Sequence, residues 1–244
     1  MGFMDFFSAE GKLRKHVARA RNKDAQSVDR LASLEALANE GSAEAVEGLL
    51  GRFTIRYDKS IDDEHEKEWV FDHLCEMGGK ILPQLQKHLR SAESIAWGLK
   101  LLPEVADREQ AWPILQDLCE RNDNIYVRDP TKKTQLIAFL GDHDDARAAA
   151  ALPPYLVDVD EGVRFTTVES ILKQKSAEVG REPLLTLLTN PKEESRRIKM
   201  RIAEGFADLG WDVKGFSGTV EKLVTDLIPN ARIDAAGKIK RPQK

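Results

Sequence analysis

Side chains that could bind a metal or act in catalysis occur at two places in this sequence, and neither forms a complete motif. His65 and Glu66 begin the His-Glu-x-x-His pattern that binds zinc from one face of a helix, but Trp69 occupies the position of the second histidine. The histidine and two aspartates at 143–145 fit the start of a helix, where negative charge is favoured by the helix dipole. The chain has no glycine-rich phosphate loop and no Cys-x-x-Cys pair. We therefore expect no metal, no cofactor and no catalytic residue, and a protein that is not an enzyme.

The composition predicts a folded protein in a reducing compartment. Apolar residues make up 41% of the chain and charged residues 32%, which is enough both to bury a core and to solvate a surface. The net charge of −4 gives no overall basic character of the kind that nucleic-acid-binding domains carry. Cys75 and Cys119 each end an apolar helical run and are too few for a disulfide framework. We expect buried, reduced thiols and a cytoplasmic location.

Helical periodicity runs through almost the whole chain. Between residues 220 and 228 the apolar side chains fall at i, i+3, i+4, i+7 and i+8, which is one face of an α-helix. Similar stripes occur in 28–37 and 198–209, and turns rich in glycine and polar residues separate the periodic segments. No segment shows a sustained alternation with the period of two that predicts a β-strand. The sequence predicts an all-α protein of about 12 or 13 short helices.

Two features recur along the chain. Four leucine-bearing segments each contain a proline, and the prolines are separated by 30, 40 and 30 residues: Pro83, Pro113, Pro153 and Pro183. A polar turn residue also precedes an arginine by six positions three times, in the pairs Asn122 and Arg128, Asp158 and Arg164, and Asn190 and Arg196. Such periods are typical of proteins in which helix pairs stack and bury their apolar faces against one another.

This pattern resembles the HEAT repeat, which has a proline in its first helix, an aspartate opening the inter-helix turn, and a Val-Arg pair entering its second helix. Asp158 followed by Val163 and Arg164 is the best match. The resemblance implies an α-solenoid of antiparallel helix pairs, HEAT- or armadillo-like, over residues 25–229. It also implies a ladder of hydrogen bonds between neighbouring repeats, with Asn122, Asp158 and Asn190 as acceptors and Arg128, Arg164 and Arg196 as donors.

The two ends of the chain give separate signals. Residues 1–24 combine an apolar face, which includes Phe3, Phe6 and Phe7, with a basic face, and predict an amphipathic helix that caps the first repeat. Docking of residues 3–21 on a membrane surface or on a partner's groove is the alternative. The last apolar stripe ends at Ile228, and Pro229 follows. We therefore expect residues 230–244 to be a basic, disordered tail.

Charge is distributed unevenly. Eight acids and two lysines lie between Asp58 and Glu76, whereas residues 192–201 are basic. Such stretches predict either solvated helix faces or the walls of a polarised groove that orients a partner. Arg197 and Arg201 lie one turn apart on the second helix of a repeat, which is the layer that lines the concave side of a solenoid. With Lys132 and Lys133, they are the predicted contact residues for a protein or peptide partner.

The fold and the missing catalytic motifs together favour a non-enzymatic interaction module, an adaptor or scaffold that binds a protein on its concave face. The alternative is a nucleic-acid-binding protein resembling the HEAT-like alkylpurine DNA glycosylases, although the acidic charge balance makes a nucleic-acid partner the lesser expectation. Related repeats also occur in lyases that attach phycobilins, but no residue here points to a pigment. A single feature distinguishes the first two hypotheses, namely whether six cations line one continuous surface: Arg128, Lys132, Lys133, Arg164, Arg197 and Arg201.

Overall fold

The computed structural model of the chain describes residues 9–57, 60–122 and 126–241, and nearly all of the regular structure in these residues is helical. The expectation of an all-α protein is therefore confirmed. The chain divides into two compact units, one ending at Glu120 and the other beginning at Arg121, whereas the sequence predicted one array over residues 25–229. None of the described helices is both long and apolar enough to cross a membrane.

The first unit is formed by helices that alternate along the chain between two sets, and members of each set pack on one another. The helices are α1 (Ala9–Ala20), α2 (Ser27–Glu40), α3 (Ala43–Arg52), α4 (Ser60–Met77), α5 (Leu82–Ser91), α6 (Ala96–Val105) and α7 (Arg108–Asn122), which ends at the boundary between the units. Helix α3 contacts both α1 and α5, and α4 contacts both α2 and α6. Leu37 of α2, Leu49 of α3 and Leu74 of α4 are fully buried in the core that this packing creates.

The second unit continues the same alternation. Its elements are α8 (Thr131–Asp142), α9 (Ala146–Ala151), a 3₁₀ helix (Pro153–Val157), α10 (Glu161–Gln174), α11 (Ala177–Thr189), α12 (Arg196–Leu209) and α13 (Ser217–Leu227). Helix α10 contacts both α8 and α12, and α11 contacts both the 3₁₀ helix and α13. Val163, Ile198 and Phe206 are fully buried between these elements. In each unit the even-numbered helices contact one another, and odd-numbered helices such as α3 and α11 pack against them.

The recurring prolines do not occupy equivalent positions in their helices. Pro83 lies in the first turn of α5, and Pro153 begins the 3₁₀ helix. Pro113 and Pro183 lie inside α7 and α11, because the residues before each proline are already helical. An internal proline removes one backbone hydrogen bond of its helix, since it has no N–H to donate to the carbonyl four residues earlier.

The C-terminal segment differs from the expected disordered tail. Strands β1 (Arg232–Ile233) and β2 (Ile239–Lys240) pair antiparallel, and Ile239 is buried. The connecting turn is stabilised by Asp234, whose Oδ1 accepts from the backbone N–H groups of Ala236 and Lys238, and Gly237 supplies a positive φ of 83°. Turn chemistry rather than an apolar stripe therefore orders residues 231–241. Residues 242–244 lie outside the described residues.

At the other end, α1 packs against α2 and α3. A Cβ atom at Gly48 of α3 would lie 2.9 Å from Val17 of α1, so the glycine permits a close approach of the two helices. The apolar face predicted for residues 1–24 is therefore directed at the first unit where it is described. Phe3, Phe6 and Phe7 lie outside the described residues.

Candidate functional site

A turn in the second unit places a buried acid beside a cation of the preceding even-numbered helix. Asp158 lies between the 3₁₀ helix and α10, and its Oδ1 accepts from the backbone N–H of Asp160 at 2.9 Å. Its Oδ2 accepts from Nζ of Lys133 in α8 at 2.6 Å. Asp160 caps α10, because its Oδ1 accepts from the N–H of Val163. These bonds tie the beginning of α10 to α8.

The turn before α12 repeats this arrangement with a glutamate. Glu193 accepts from the backbone N–H of Ser195, the residue that caps α12, at 2.8 Å. Arg164 of α10 donates from Nε to Oε2 of Glu193 at 2.7 Å and from Nη2 to Oε1 at 3.1 Å. Arg164 also donates through Nη1 to the backbone carbonyl of Asp158 at 2.9 Å. The pairs Lys133 with Asp158 and Arg164 with Glu193 therefore form two consecutive rungs.

The predicted ladder residues lie near these turns, but the pairs differ from those expected. The carboxylate of Asp158 accepts from Lys133, and Arg164 reaches only its backbone carbonyl. Helix α8 begins at residue 131, which leaves Arg128 exposed before it. Asn190 ends α11, and its side chain accepts from a backbone N–H within the turn. The acid that occupies the pairing position is Glu193, three residues later.

The two remaining ladder residues lie at helix ends. Asn122 is the last residue of α7. Arg196 is the first residue of α12, and its Nη2 donates to the backbone carbonyl of Asp226 in α13 at 2.9 Å. Arg196 therefore also reaches forward along the chain, as Lys133 and Arg164 do, but its acceptor is a carbonyl.

Burial and hydrogen bonding act in opposite directions on the second rung. Burial raises the pKa of Glu193, but the hydrogen bonds from Arg164 and from the N–H of Ser195 outweigh it, so the pKa lies below its ordinary value. The hydrogen bond to Glu193 raises the pKa of Arg164, although burial opposes this. Each partner thus favours the charged form of the other.

The even-numbered helices of the second unit form a groove with a volume of about 500 Å³. Its walls are α8, α10 and α12, and glycines allow these helices to approach closely. A Cβ atom at Gly141 of α8 would lie 2.6 Å from the side chain of Ser170, and one at Gly205 of α12 would lie 2.4 Å from Leu172. We call this depression the even-helix groove.

Ion pairs between neighbouring helices line the even-helix groove. Arg201 of α12 donates to both carboxylate oxygens of Glu169 in α10, and Lys173 of α10 pairs with Asp142 of α8. The side chains of Lys173 and Asp142 are 63% and 59% exposed, so solvent screens this pair and it contributes little to stability. The groove therefore presents both signs of charge in positions open to a ligand.

One of the four predicted contact residues lies in the wall of this groove, and a second lies on the same helix. Arg201 lines it, and Arg197 lies one turn earlier on α12 with its side chain 62% exposed. The guanidinium of Arg197 covers the ring of Phe165, with Cζ 3.5 Å from the ring centroid. Its Nη1 also lies 3.8 Å from a carboxylate oxygen of Glu161 in α10.

The two lysines do not join them. Lys133 is buried, with its side chain 1% exposed, and Asp158 holds its ammonium group, which excludes it from contact with a partner. Lys132 is half-buried, and its pKa is lowered by burial and by the nearby charge of Arg121. The prediction that Lys133 contacts a partner is therefore corrected. As the third residue of α8, it is buried and pairs with Asp158.

Charged side chains are also buried in the first unit, where the sequence predicted a solvated or groove-lining acidic face. Arg52 is fully buried and donates from Nε to Glu66 at 2.9 Å and from Nη2 to Asp63 at 2.7 Å. Arg30 donates from Nη2 to Glu66 at 2.8 Å. The ring centroid of Tyr57 lies 3.9 Å from Cζ of Arg30 and 4.2 Å from that of Arg52. We call these residues the buried charge cluster.

Helical spacing explains which acids belong to the buried charge cluster. Asp63, Glu66 and Lys67 lie at i, i+3 and i+4, and Val70 and Leu74 continue the same face of α4 into the core. Burial raises the pKa of Asp63, but hydrogen bonds from Lys67 and Arg52 outweigh it and lower the pKa. The apolar residues at 70 and 74 were the sequence signal that marked this face as buried.

The histidines and cysteines form no metal site in the part of the chain that is described: no three His, Cys, Asp or Glu side chains come together there. His65 is exposed, and the ring of His73 stacks on Trp69 with centroids 3.7 Å apart. Cys75 and Cys119 are free, and burial raises the pKa of Cys75. Comparison of the chain with protein-family models, with curated proteins and with solved structures found no match.

Proposed function

We propose that this chain is a HEAT-like α-solenoid protein that acts as a non-enzymatic interaction module. Two observations support the fold assignment. Helices in each unit alternate between two rows, and in the second unit a cation at the start of one even-numbered helix pairs with the acid in the next inter-helix turn. Both are properties of stacked helix pairs, in which each pair is stabilised mainly by its neighbours.

The observation that supports binding is the even-helix groove, with Arg201 in its α12 wall and Arg197 one turn earlier on the same helix. A groove of about 500 Å³ lies in the range of roughly 300–1,000 Å³ that ligand sites occupy. The ion pair between Arg201 and Glu169 can open toward a ligand at small cost, because both side chains are partly solvated. A protein segment with its own acids and bases can replace these partners and gain orientation from the match of charges. The free cysteines are compatible with the reducing cytoplasm in which we place the protein.

The test is an affinity capture from cell lysate with the full chain as bait, treated with nuclease and washed at low and high salt. The variant Arg197→Glu/Arg201→Glu reverses both cations of α12. Its matched control is Lys192→Glu/Lys222→Glu, which makes the same change in net charge at exposed residues outside the even-helix groove. We expect a protein that survives nuclease to be retained by the wild type and by the control and lost by the first variant. Far-UV circular dichroism verifies that both variants are folded.

The nucleic-acid alternative lacks the feature that would distinguish it. Lys133 and Arg164 are engaged by Asp158 and Glu193, so the six cations do not form one continuous surface. Capture of nucleic acid alone, released by salt and destroyed by nuclease, would contradict the interaction module and favour this alternative. Equal capture of a protein by the wild type and by Arg197→Glu/Arg201→Glu would reject the even-helix groove as its site.

A further inference from the structure

A second groove lies among the odd-numbered elements of the second unit, and its floor is apolar. It has a volume of about 400 Å³ and runs between the 3₁₀ helix and α11. Pro153 and Val157 line it from the 3₁₀ helix, and Val179 and Pro183 line it from α11. Val157 is 72% exposed and adds apolar surface to the rim of the groove. We call this depression the odd-helix groove.

The spacing of its lining residues suits a helical ligand. Val179, Pro183 and Leu187 recur every four residues along α11, so the apolar stripe extends over about 12 Å at a rise of about 1.5 Å per residue. This length corresponds to two turns of a partner helix. Helices that bind in grooves use apolar residues at i, i+3, i+4 and i+7, which occupy a stripe of the same length.

The charge of the odd-helix groove has one sign. Glu178 and Glu182 are the charged side chains among its described lining residues, and both are exposed and lie one turn apart beside the apolar stripe. Two carboxylates at this spacing repel one another by a few tenths of a kcal/mol in the free protein. A cation placed between them by a ligand removes that repulsion and adds attraction.

The backbone of α11 adds a hydrogen-bond acceptor beside the two carboxylates. Pro183 has no N–H, so the carbonyl oxygen of Val179 lacks its usual donor within α11. Both residues line the groove. A lysine or arginine of a ligand that lies along Glu178 and Glu182 can donate to this carbonyl as well.

We propose that the odd-helix groove binds a cationic amphipathic helix of a protein partner, which lays apolar residues against Val157, Val179 and Pro183 and places lysine or arginine beside Glu178 and Glu182. This surface is separate from the even-helix groove, so the two sites can hold different segments. Affinity comes from the apolar face, and the orientation of the helix comes from the two carboxylates.

The experiment uses the full chain and a fluorescein-labelled helical peptide of about 15 residues, with leucines along one face and lysines flanking them. A matched peptide replaces each lysine with glutamate. We expect the lysine peptide to bind at least tenfold more tightly than the glutamate peptide in fluorescence anisotropy. Methyl NMR of the full chain should show shifts at Val157, Val179 and Leu187 on addition of the lysine peptide.

Variants of the chain then test whether the peptide binds in the odd-helix groove. Glu178→Lys/Glu182→Lys and Val157→Asn should each weaken binding of the lysine peptide about tenfold. Asp144→Lys/Glu221→Lys makes the same charge change at exposed residues outside the groove and should bind as the wild type does, as should Arg197→Glu/Arg201→Glu. Failure of the lysine peptide to bind would overturn the proposal, as would equal affinity for both peptides or wild-type binding by the groove variants.

Discussion

Lys133 and Asp158 form an ion pair across the second unit, with Nζ 2.6 Å from Oδ2 and the two side chains 1% and 6% exposed. Lys133 lies in α8, and Asp158 lies 25 positions later in the turn before α10. Because Asp158 also accepts from the N–H of Asp160, which caps α10, the ion pair fixes the start of α10 relative to α8. A charge pair this deeply buried specifies a geometry, since misplacing either partner leaves an uncompensated charge in the interior.

Removal of Lys133 should therefore lower the free energy of unfolding far more than removal of a surface cation. We expect Lys133→Met to lower the free energy of unfolding by about 3 kcal/mol, because the buried carboxyl group of Asp158 loses its ion-pair partner. The control is Lys173→Met, which breaks the exposed pair with Asp142 and should change stability by less than about 1 kcal/mol. Urea unfolding monitored by circular dichroism measures both. Equal losses in the two variants would show that the first rung contributes no more than a surface pair.

The second rung predicts a pH dependence. The pKa of Glu193 is lowered in the folded chain, so its stabilisation is complete above the unfolded value of about 4.3 and is lost as pH falls through the folded value. Glu193→Gln should lower stability by about 2 kcal/mol at pH 7, since the amide has one acceptor oxygen where Arg164 needs two and carries no charge to pair with the guanidinium. The difference between wild type and variant should shrink as pH falls below about 4.3. Urea unfolding from pH 7 to pH 3 measures this difference, and a gap that stays constant would assign the loss to packing.

The all-α class followed from the sequence because helical periodicity is local. The sequence did not predict which residues form the two ion pairs, because the pairing depends on where each helix begins. Helix α8 begins at residue 131, so Lys133 and not Arg128 occupies the buried position in its first turn. Asn190 and Glu193 lie in one turn, and only the structure shows which of them faces Arg164.

The candidate binding sites also include some that the sequence indicated and some that only the structure reveals. Arg197 and Arg201 were predicted as contact residues because their spacing places them on one face of α12, and the structure places Arg201 in the wall of the even-helix groove. Their role in binding stays a prediction. The odd-helix groove was not predicted, since it is formed by a 3₁₀ helix and by α11, whose separate sequences give no sign of their contact. The hairpin of β1 and β2 was missed because strands of two residues are too short to show a periodic pattern.

The buried charge cluster of the first unit leads to a third prediction. Arg52 is fully buried and bonded to both Asp63 and Glu66. We expect Arg52→Met to destabilise the chain by about 3–5 kcal/mol, because the two carboxylates lose their shared cation in the interior. Arg56→Met removes an exposed arginine four residues later and should change stability by less than about 0.5 kcal/mol. Thermal and urea unfolding of both variants distinguish the cluster from ordinary surface charge, and comparable stabilities would contradict it.

Close packing of the even-numbered helices can be tested with two glycines that should respond in opposite directions. A Cβ atom at Gly141 would lie 2.6 Å from the Ser170 side chain and 2.8 Å from its Cα, so the backbones of α8 and α10 must separate. We expect Gly141→Ala to destabilise the chain by about 1–3 kcal/mol. Gly218 in α13 has open space around its Cβ position, so Gly218→Ala should stabilise the chain by about 0.5–1 kcal/mol through helix propensity. Urea unfolding measures both signs. Stabilisation by both substitutions would mean that α8 and α10 are not in contact at Gly141, and the walls of the even-helix groove would then be set by other residues.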